Sequence, residues 1–342
     1  MPVQRKVLVT GAAGFIGAFL VKRLLETTDI AIVGLDNMNS YYDPGIKQDR
    51  LRMLAEEDGE GRFFFVKGDL ADAALVERLF AENNFDIVVN LAAQAGVRYS
   101  IENPRAYVES NLVGFFNILE ACRHYPVEHL VYASSSSVYG TNEKVPYSIK
   151  DRTDSPVSLY AATKKSNELM AHAYSKLYGI RCTGLRFFTV YGPMGRPDMA
   201  YFKFADKITE GKPIQIFNFG DMKRDFTYID DVVTGVVNVM DLASCLPQDG
   251  ARCKLYNIGN NSPVQLLEFV QMLERVLMEE GIVDMPTTHE LVAMQPGDVY
   301  QTYANVDELI RDFDFKPNTP LEDGLREFAR WYKDYRFSGA SW

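Results

Sequence analysis

The chain has 342 residues, of which 47% are hydrophobic and 24% charged, a balance that allows a large core and argues against disorder. Its net charge of −10 argues against general affinity for nucleic acid or an anionic membrane, although local arginines could still hold an anionic small molecule. There is no apolar run of about 18 residues and no basic segment leading into an apolar one, so neither a spanning helix nor a leader is expected.

The first predicted strand, residues 7–9, runs through Thr10 into Gly11-x-x-Gly14-x-x-Gly17 and then into a helix over 14–27 with Phe19, Leu20 and Leu24 on its apolar positions. Strand, glycine turn and helix in that order form a pyrophosphate cradle. Gly11 makes the tight turn, Gly14 lets the backbone approach phosphate and Gly17 lets helix and strand pack closely. The first-turn N–H groups and the helix dipole favour the anion. A second apolar strand over 30–35 ends at Asp36, about 20 residues on, where a carboxylate accepts the ribose hydroxyls and repels a 2′-phosphate. The expected cofactor is NAD rather than NADP.

Further strands are predicted over 63–67, 87–91, 130–133 and 182–187. They alternate with helices over 43–55, 73–83, 104–124 and 158–178. That alternation is the pattern of an α/β, doubly wound, mostly parallel sheet. After Gly192 the pattern changes to turn-rich stretches and short helices. One of these is expected over 263–280, with Ser262 as N-cap and Pro263 in the first turn. Residues 1–187, with 226–258 returning to them, form the predicted NAD-binding domain. Residues 188–225 and 259–342 form a smaller C-terminal α+β substrate domain. The wide apolar faces around 111–122 and 158–178 suit a four-helix contact with a second copy, so a homodimer is expected.

Cys122, Cys182, Cys245 and Cys253 are far apart in sequence with no CxxC pair, and the four histidines have no metal-ligand spacing. No metal is expected. Cys122 and Cys182 read as buried thiols and the compartment as reducing, hence cytoplasmic.

Tyr160 and Lys164 lie four apart, on one helical face. The serine run 134–137 ends a predicted parallel strand, where ligands of doubly wound sheets collect. A phenolate is a suitable base for an alcohol being oxidised, and a neighbouring ammonium together with a cationic nicotinamide would lower its pKa from about 10. A serine hydroxyl beside the reacting oxygen can orient it.

These motifs carry a resemblance. TGAAGFIG, NLAAQAGVRYS, SSSSVYG, the Tyr-x-x-x-Lys pair, RFFTVYGP, RDFTYIDD and PGDV are similar to those of extended short-chain dehydrogenases/reductases, specifically nucleotide-sugar epimerases. The resemblance implies catalytic roles for Ser135, Tyr160 and Lys164. It implies cofactor contacts for Gly11, Gly14, Phe15, Ile16, Gly17, Asp36, Asn37, Asp69, Leu70, Leu91, Ala92, Ala93, Asn111, Tyr160, Lys164 and Phe187. Residues 36–47 and GPMGRPDMAYFKF resemble UDP-glucuronate 4-epimerases in particular. Substrate contacts are then expected from Ser136, Ser137, Thr189, Arg196, Gln215, Phe217, Arg224 and Asp298, with Arg196 placed to grip a carboxylate bidentately.

Thr189 stands where galactose epimerases carry asparagine, Met194 where many uronate epimerases carry tryptophan, and Gln295 where galactose epimerases have a second phosphate-binding arginine. The implied reaction is NAD-dependent C4 epimerisation of UDP-glucuronate to UDP-galacturonate. Alternatives are a UDP-glucuronate decarboxylase, a neutral UDP-hexose 4-epimerase and a non-catalytic NAD-binding sensor. A 4,6-dehydratase is disfavoured, because Ser136 and Ser137 stand where it needs an Asp-Glu pair.

Overall fold

A computed structural model describes residues 4–241, 252–294 and 300–337. The chain folds into two compact units, the first comprising residues 1–142, 151–187 and 233–257, the second residues 143–150, 188–232 and 258–342. Residues 143–150 therefore group with the second unit, and the returning segment of the first begins at Val233 rather than at residue 226.

The first unit alternates strands and helices. They are β1 (Lys6–Thr10), α1 (Phe15–Thr27), β2 (Ala31–Asp36), α2 (Gly45–Glu57), β3 (Phe63–Lys67), α3 (Ala73–Asn83) and β4 (Ile87–Asn90). Next come the short helices α4 (Tyr99–Glu102) and α5 (Pro104–Tyr107), then α6 (Gly114–His124), β5 (His129–Ser135), α7 (Leu159–Tyr178) and β6 (Cys182–Phe187). In the second unit are β7 (Thr189–Tyr191), α8 (Ala200–Thr209), β8 (Ile214–Phe217) and β9 (Lys223–Tyr228). The helix α9 (Ile229–Met240) and strand β10 (Cys253–Ile258) follow, then β11 (Pro263–Gln265), α10 (Leu266–Glu279), β12 (His289–Val292), α11 (Asp307–Phe313) and α12 (Leu321–Phe337).

In the first unit seven strands form one sheet in the order β10-β6-β5-β4-β1-β2-β3, with parallel pairing from β6 through β3. Strands β1, β4 and β5 are Val/Ile/Leu-rich and almost wholly buried, as a sheet covered on both faces requires. The strand order reverses between β1 and β4, so the carboxyl ends of these neighbours form the switch point at which doubly wound sheets bind ligands. Helix α7 is bounded locally: the Ser158 hydroxyl accepts from Ala161 N, and Gly179 closes the helix in the left-handed region (φ 73°).

Two of the predicted helices also need correction. The helix predicted over 104–124 is interrupted by a π-helical turn at Val108–Val113, which carries Asn111. The helix predicted over 263–280 begins only at Leu266, because Pro263–Gln265 pair antiparallel with β9 and Leu266 N bonds Met222 O at 2.8 Å. A proline's fixed φ suits a strand start as well as a first helical turn, and the β9 edge decides between them. Ser262 therefore caps no helix; Gln265 precedes α10 without a side-chain cap.

The second unit has a three-stranded sheet, β11-β9-β7, and the parallel pair β12-β8. Its helices pack through aromatic rings: Phe226 stacks on Phe269 (centroids 4.3 Å apart), and Phe328 meets Tyr201 edge-on at 4.9 Å. No helix among the described residues is long and apolar enough to cross a membrane.

Candidate active site

The glycine turn after β1 is tied to β2 by Gly11 N–H donating to Leu35 O (2.7 Å) and closed by Gly14 N–H donating to Gly11 O (2.8 Å). Gly11 has φ +71°, and a Cβ there would meet Ala92 N at 2.8 Å. A Cβ on Gly17 would fall 2.1 Å from Gly11 O, so only glycine lets α1 sit this close to the turn. The N-terminus of α1 has no side-chain cap and no acidic residue in its first turn. That is the state of a helix end whose N–H groups serve an anion, so the chain's own geometry fits a dinucleotide pyrophosphate. Phe15 is buried in that first turn and Ile16 partly so.

Buried Asp36 ends β2. Its Oδ1 accepts from Met38 N at 2.8 Å, and buried Lys47 Nζ stands 3.7 Å away. Asn37 donates to Asp69 Oδ2 (2.9 Å), whose other oxygen accepts from Ala71 N (2.9 Å), and Leu70 is buried beside them. These four residues thus form one wall at the ends of β2 and β3, where the sequence places the adenosine half of the cofactor. Leu91, Ala92 and Ala93 follow β4 and are half-buried. Ala92 N donates to Thr10 Oγ1 (3.1 Å), which donates to Asn90 Oδ1 (2.8 Å), locking the ends of β1 and β4 together.

Ser135 is the last residue of β5 and pairs in register with Phe187 at the end of β6. Its Oγ contacts the Ser137 hydroxyl and accepts from Ser137 N, both at 3.2 Å, so Ser136 and Ser137 open a tight turn around it. Tyr160 lies in the first turn of α7, its ring edge-on to Tyr107 at 6.0 Å. Lys164 is 3% exposed and donates through Nζ to Ala133 O at 2.9 Å. Burial pulls its pKa down to about 8. The predicted serine, tyrosine and lysine therefore sit on the touching pair β5 and α7.

The substrate candidates Thr189, Arg196, Gln215, Phe217 and Arg224 belong to the second unit. Arg196 is engaged bidentately by Asp198 (Nε–Oδ1 3.0 Å, Nη2–Oδ2 2.6 Å). Thr189 opens β7, while Gln215 and Phe217 lie on β8 opposite Glu290 and Val292. Arg224 on β9 donates to the carbonyls of Lys223 (2.9 Å) and Tyr300 (3.3 Å). Asp298, like Gln295, Cys245 and the PGDV motif, lies outside the described residues.

With this geometry in place, residues 7–259 match the model of the NAD dependent epimerase/dehydratase family. The chain belongs to that family. It is 49% identical to UDP-glucuronate 4-epimerase 3 of Arabidopsis thaliana, over 97% of this chain and 77% of the plant protein. It is 50% identical to the protein CapI of Staphylococcus aureus, over 96% and 99% of the two chains. Among solved structures, UDP-glucuronic acid 4-epimerase of Bacillus cereus, in complex with UDP-glucuronic acid and NAD, superposes with a TM-score of 0.86. It is 33% identical, covering 96% of this chain and 99% of that one.

In this epimerase/dehydratase, Asn111, which the resemblance expects on the cofactor, makes supporting hydrogen bonds, as do two residues that sequence reasoning missed, Asn167 and Asp225. Asn111 spends its amide on protein: Oδ1 accepts from Gln94 N (2.8 Å), while Nδ2 donates to Gln94 O and Thr163 Oγ1 (both 3.0 Å). It joins the loop after β4 to α7, which makes it a support for the site. Asn167 donates to Asn111 O at 2.7 Å, fastening the π-turn. In the second unit, buried Asp225 accepts from Asn261 N and Ala304 N (3.1 and 3.0 Å) and pins two loops. Burial pushes its pKa up against the pull of those N–H groups. Asp225 lies within the RDFTYIDD motif, which is the signal that could flag it; Asn167 carries no such signal.

Proposed function

We propose that this protein interconverts UDP-glucuronate and UDP-galacturonate by oxidising and re-reducing sugar C4 with tightly held NAD. The observation that carries the reading is the juxtaposition, within one unit, of an uncapped glycine-turn helix, buried Asp36, Ser135, and the Tyr160–Lys164 pair. Half-identity to UDP-glucuronate 4-epimerases over nearly the whole chain supports the uronate as substrate.

Gly11, Gly14 and Gly17 cradle the pyrophosphate, and Asp36 takes the ribose hydroxyls, beside a wall of Asn37, Asp69 and Leu70. Bound NAD supplies a reversible hydride acceptor. Tyr160 takes the proton from the C4 hydroxyl and returns it to the opposite epimer after the 4-keto sugar has turned over. Ser135 orients the reacting oxygen. Lys164, fixed on the Ala133 carbonyl, places an ammonium that favours the phenolate. Arg224, Gln215 and Phe217 serve the UDP moiety. Arg196 receives the uronate carboxylate in exchange for Asp198, so binding trades one carboxylate partner for another.

The first unit is thus the NAD domain and the second the nucleotide-sugar domain. Leu169 (60% exposed) and Leu177 (70%) leave an apolar patch on α7, which supports a homodimer through this helix. The free thiols Cys122, Cys182 and Cys253 support a reducing, cytoplasmic setting.

The test is incubation with UDP-glucuronate and NMR analysis of the product, without added reductant. UDP-galacturonate is expected. A UDP-pentose as the main product would favour the decarboxylase, and turnover of UDP-glucose alone the neutral-sugar epimerase.

A further inference from the structure

Three side chains, two near the ends of β5 and β6 and one midway along α7, form a buried polar knot that the reaction above does not use. Glu168 lies one and two helical turns beyond Lys164 and Tyr160, continuing their face of α7. Its Oε1 accepts from Ser134 Oγ and Arg186 Nε, both at 2.7 Å, and its Oε2 accepts from Arg186 Nη2 at 2.8 Å. Glu168 is 4% exposed, Arg186 1% and Ser134 2%.

Burial pushes the Glu168 carboxyl up, but the Arg186 guanidinium and the Ser134 hydroxyl outweigh it and hold the group below the ordinary carboxylate range. The pair is therefore ionised in a place where desolvation costs several kcal/mol per ion. Such a pair is weak evidence for stability, since apolar residues of similar volume often do as well.

What the knot does is geometric. Ser134 precedes Ser135 and pairs with Arg186 across β5 and β6. The Arg186 guanidinium lies 4.8 Å from the centre of the Tyr139 ring, in the turn that carries Ser136 and Ser137, and Tyr139 donates to Asn257 Oδ1 at 2.7 Å. One carboxylate on α7 thus clamps the serine end of β5 and, through Arg186, the serine turn.

Resting on the epimerase reading, we propose that Glu168 is a positioning residue that, through Ser134 and Arg186, sets the register of the Tyr160–Lys164 helix against Ser135. It touches neither substrate nor cofactor. A displacement of about 1 Å between base and hydroxyl costs on the order of 10²-fold in rate.

The experiment uses the full NAD-loaded chain. Glu168→Gln leaves Arg186 buried without a counter-charge and can fail to fold for that reason alone. The deciding variant is therefore Glu168→Met/Arg186→Met, which replaces the whole pair by apolar volume. Expected is a folded protein with kcat down ~10²-fold, while KM and NAD retention change less than about 3-fold. Wild-type kcat in the double variant overturns the proposal. So does failure of the double variant to fold, since the pair would then serve the whole unit and not the site.

A second readout is independent of turnover: the tyrosinate absorbance that Tyr160→Phe removes, titrated against pH. Its apparent pKa is expected to rise in the double variant as Lys164 and Ser135 lose alignment with the phenol, and an unchanged titration overturns the proposal. If wild-type protein does not turn over UDP-glucuronate, the functional reading fails, and this titration still decides the role of Glu168.

Discussion

Lys164 should make the apo protein less stable at neutral pH than at high pH. Its folded pKa is about 8 against an ordinary value of 10.5, so the shift corresponds to about 3 kcal/mol. For a base whose folded pKa is depressed, the unfolded chain binds the extra proton between the two values. Stability therefore rises with pH from about 8 to about 10.5 and carries the full penalty below 8. Lys164→Met removes the charge but leaves the Ala133 carbonyl without its donor, a loss of ~1–3 kcal/mol. These two terms are of similar size, so the variant's stability at pH 7 alone decides nothing.

The pH dependence does decide. The wild-type minus variant difference in unfolding free energy, from urea melts of apo protein followed by circular dichroism, should increase by about 3 kcal/mol between pH 7.5 and 10.5. A difference flat in pH would refute a buried, charged Lys164 and with it the ammonium's pull on Tyr160. The variant should also be inactive at every pH, a stability cost retained for function.

Asp36→Ala should move the NAD:NADP Kd ratio ~10²-fold toward NADP, because the repulsive carboxylate is lost and Lys47, 3.7 Å away, is freed; an unchanged ratio in calorimetry would remove Asp36 from cofactor choice. Buried His129 is held neutral, Nδ1 donating to Met240 O (3.2 Å) and Nε2 accepting from Thr183 Oγ1 (2.9 Å). Burial lowers its pKa to about 4, so stability should be intact above 6.5 and fall by about 3 kcal/mol as pH drops toward 4. Urea midpoints of His129→Gln that track those of wild type across this range would contradict that. Arg196→Ala should raise KM for UDP-glucuronate ~30-fold or more and divert some turnovers to a UDP-pentose, since nothing then holds the carboxylate of the 4-keto acid. Asp198→Asn should lower that KM, and a rise in its place would show that Asp198 orients Arg196 and does not compete with substrate.

The doubly wound sheet was readable because its evidence is local. Apolar β-branched runs at regular spacing, a glycine turn and Asp36 each carry their meaning within a few residues. The strand over 63–67 and the helix over 73–83 were located to the residue for the same reason, the helix opening on an Asp72 cap that accepts from Leu75 N. Where two local signals conflicted, the residues alone did not decide. Ser262-Pro263 reads as a helix start, and only the neighbouring β9 edge turns it into a strand.

The sequence by itself determined which groups are candidates: the glycine turn for phosphate, Asp36 for ribose, and Ser135, Tyr160 and Lys164 for the chemistry. The tertiary structure alone decided how those groups are held. Arg186, Glu168 and Ser134 lie 18 and 34 residues from one another along the chain and meet only because β5 and β6 are neighbours and α7 packs on them. Asn111 likewise finds Gln94 and Thr163 across the fold through a π-turn that no periodicity announces. The reason is physical: a catalytic motif is a short-range pattern of side chains along one strand or one helix, whereas burying a polar group requires a partner, and that partner is supplied by whichever distant segment the packed core brings alongside.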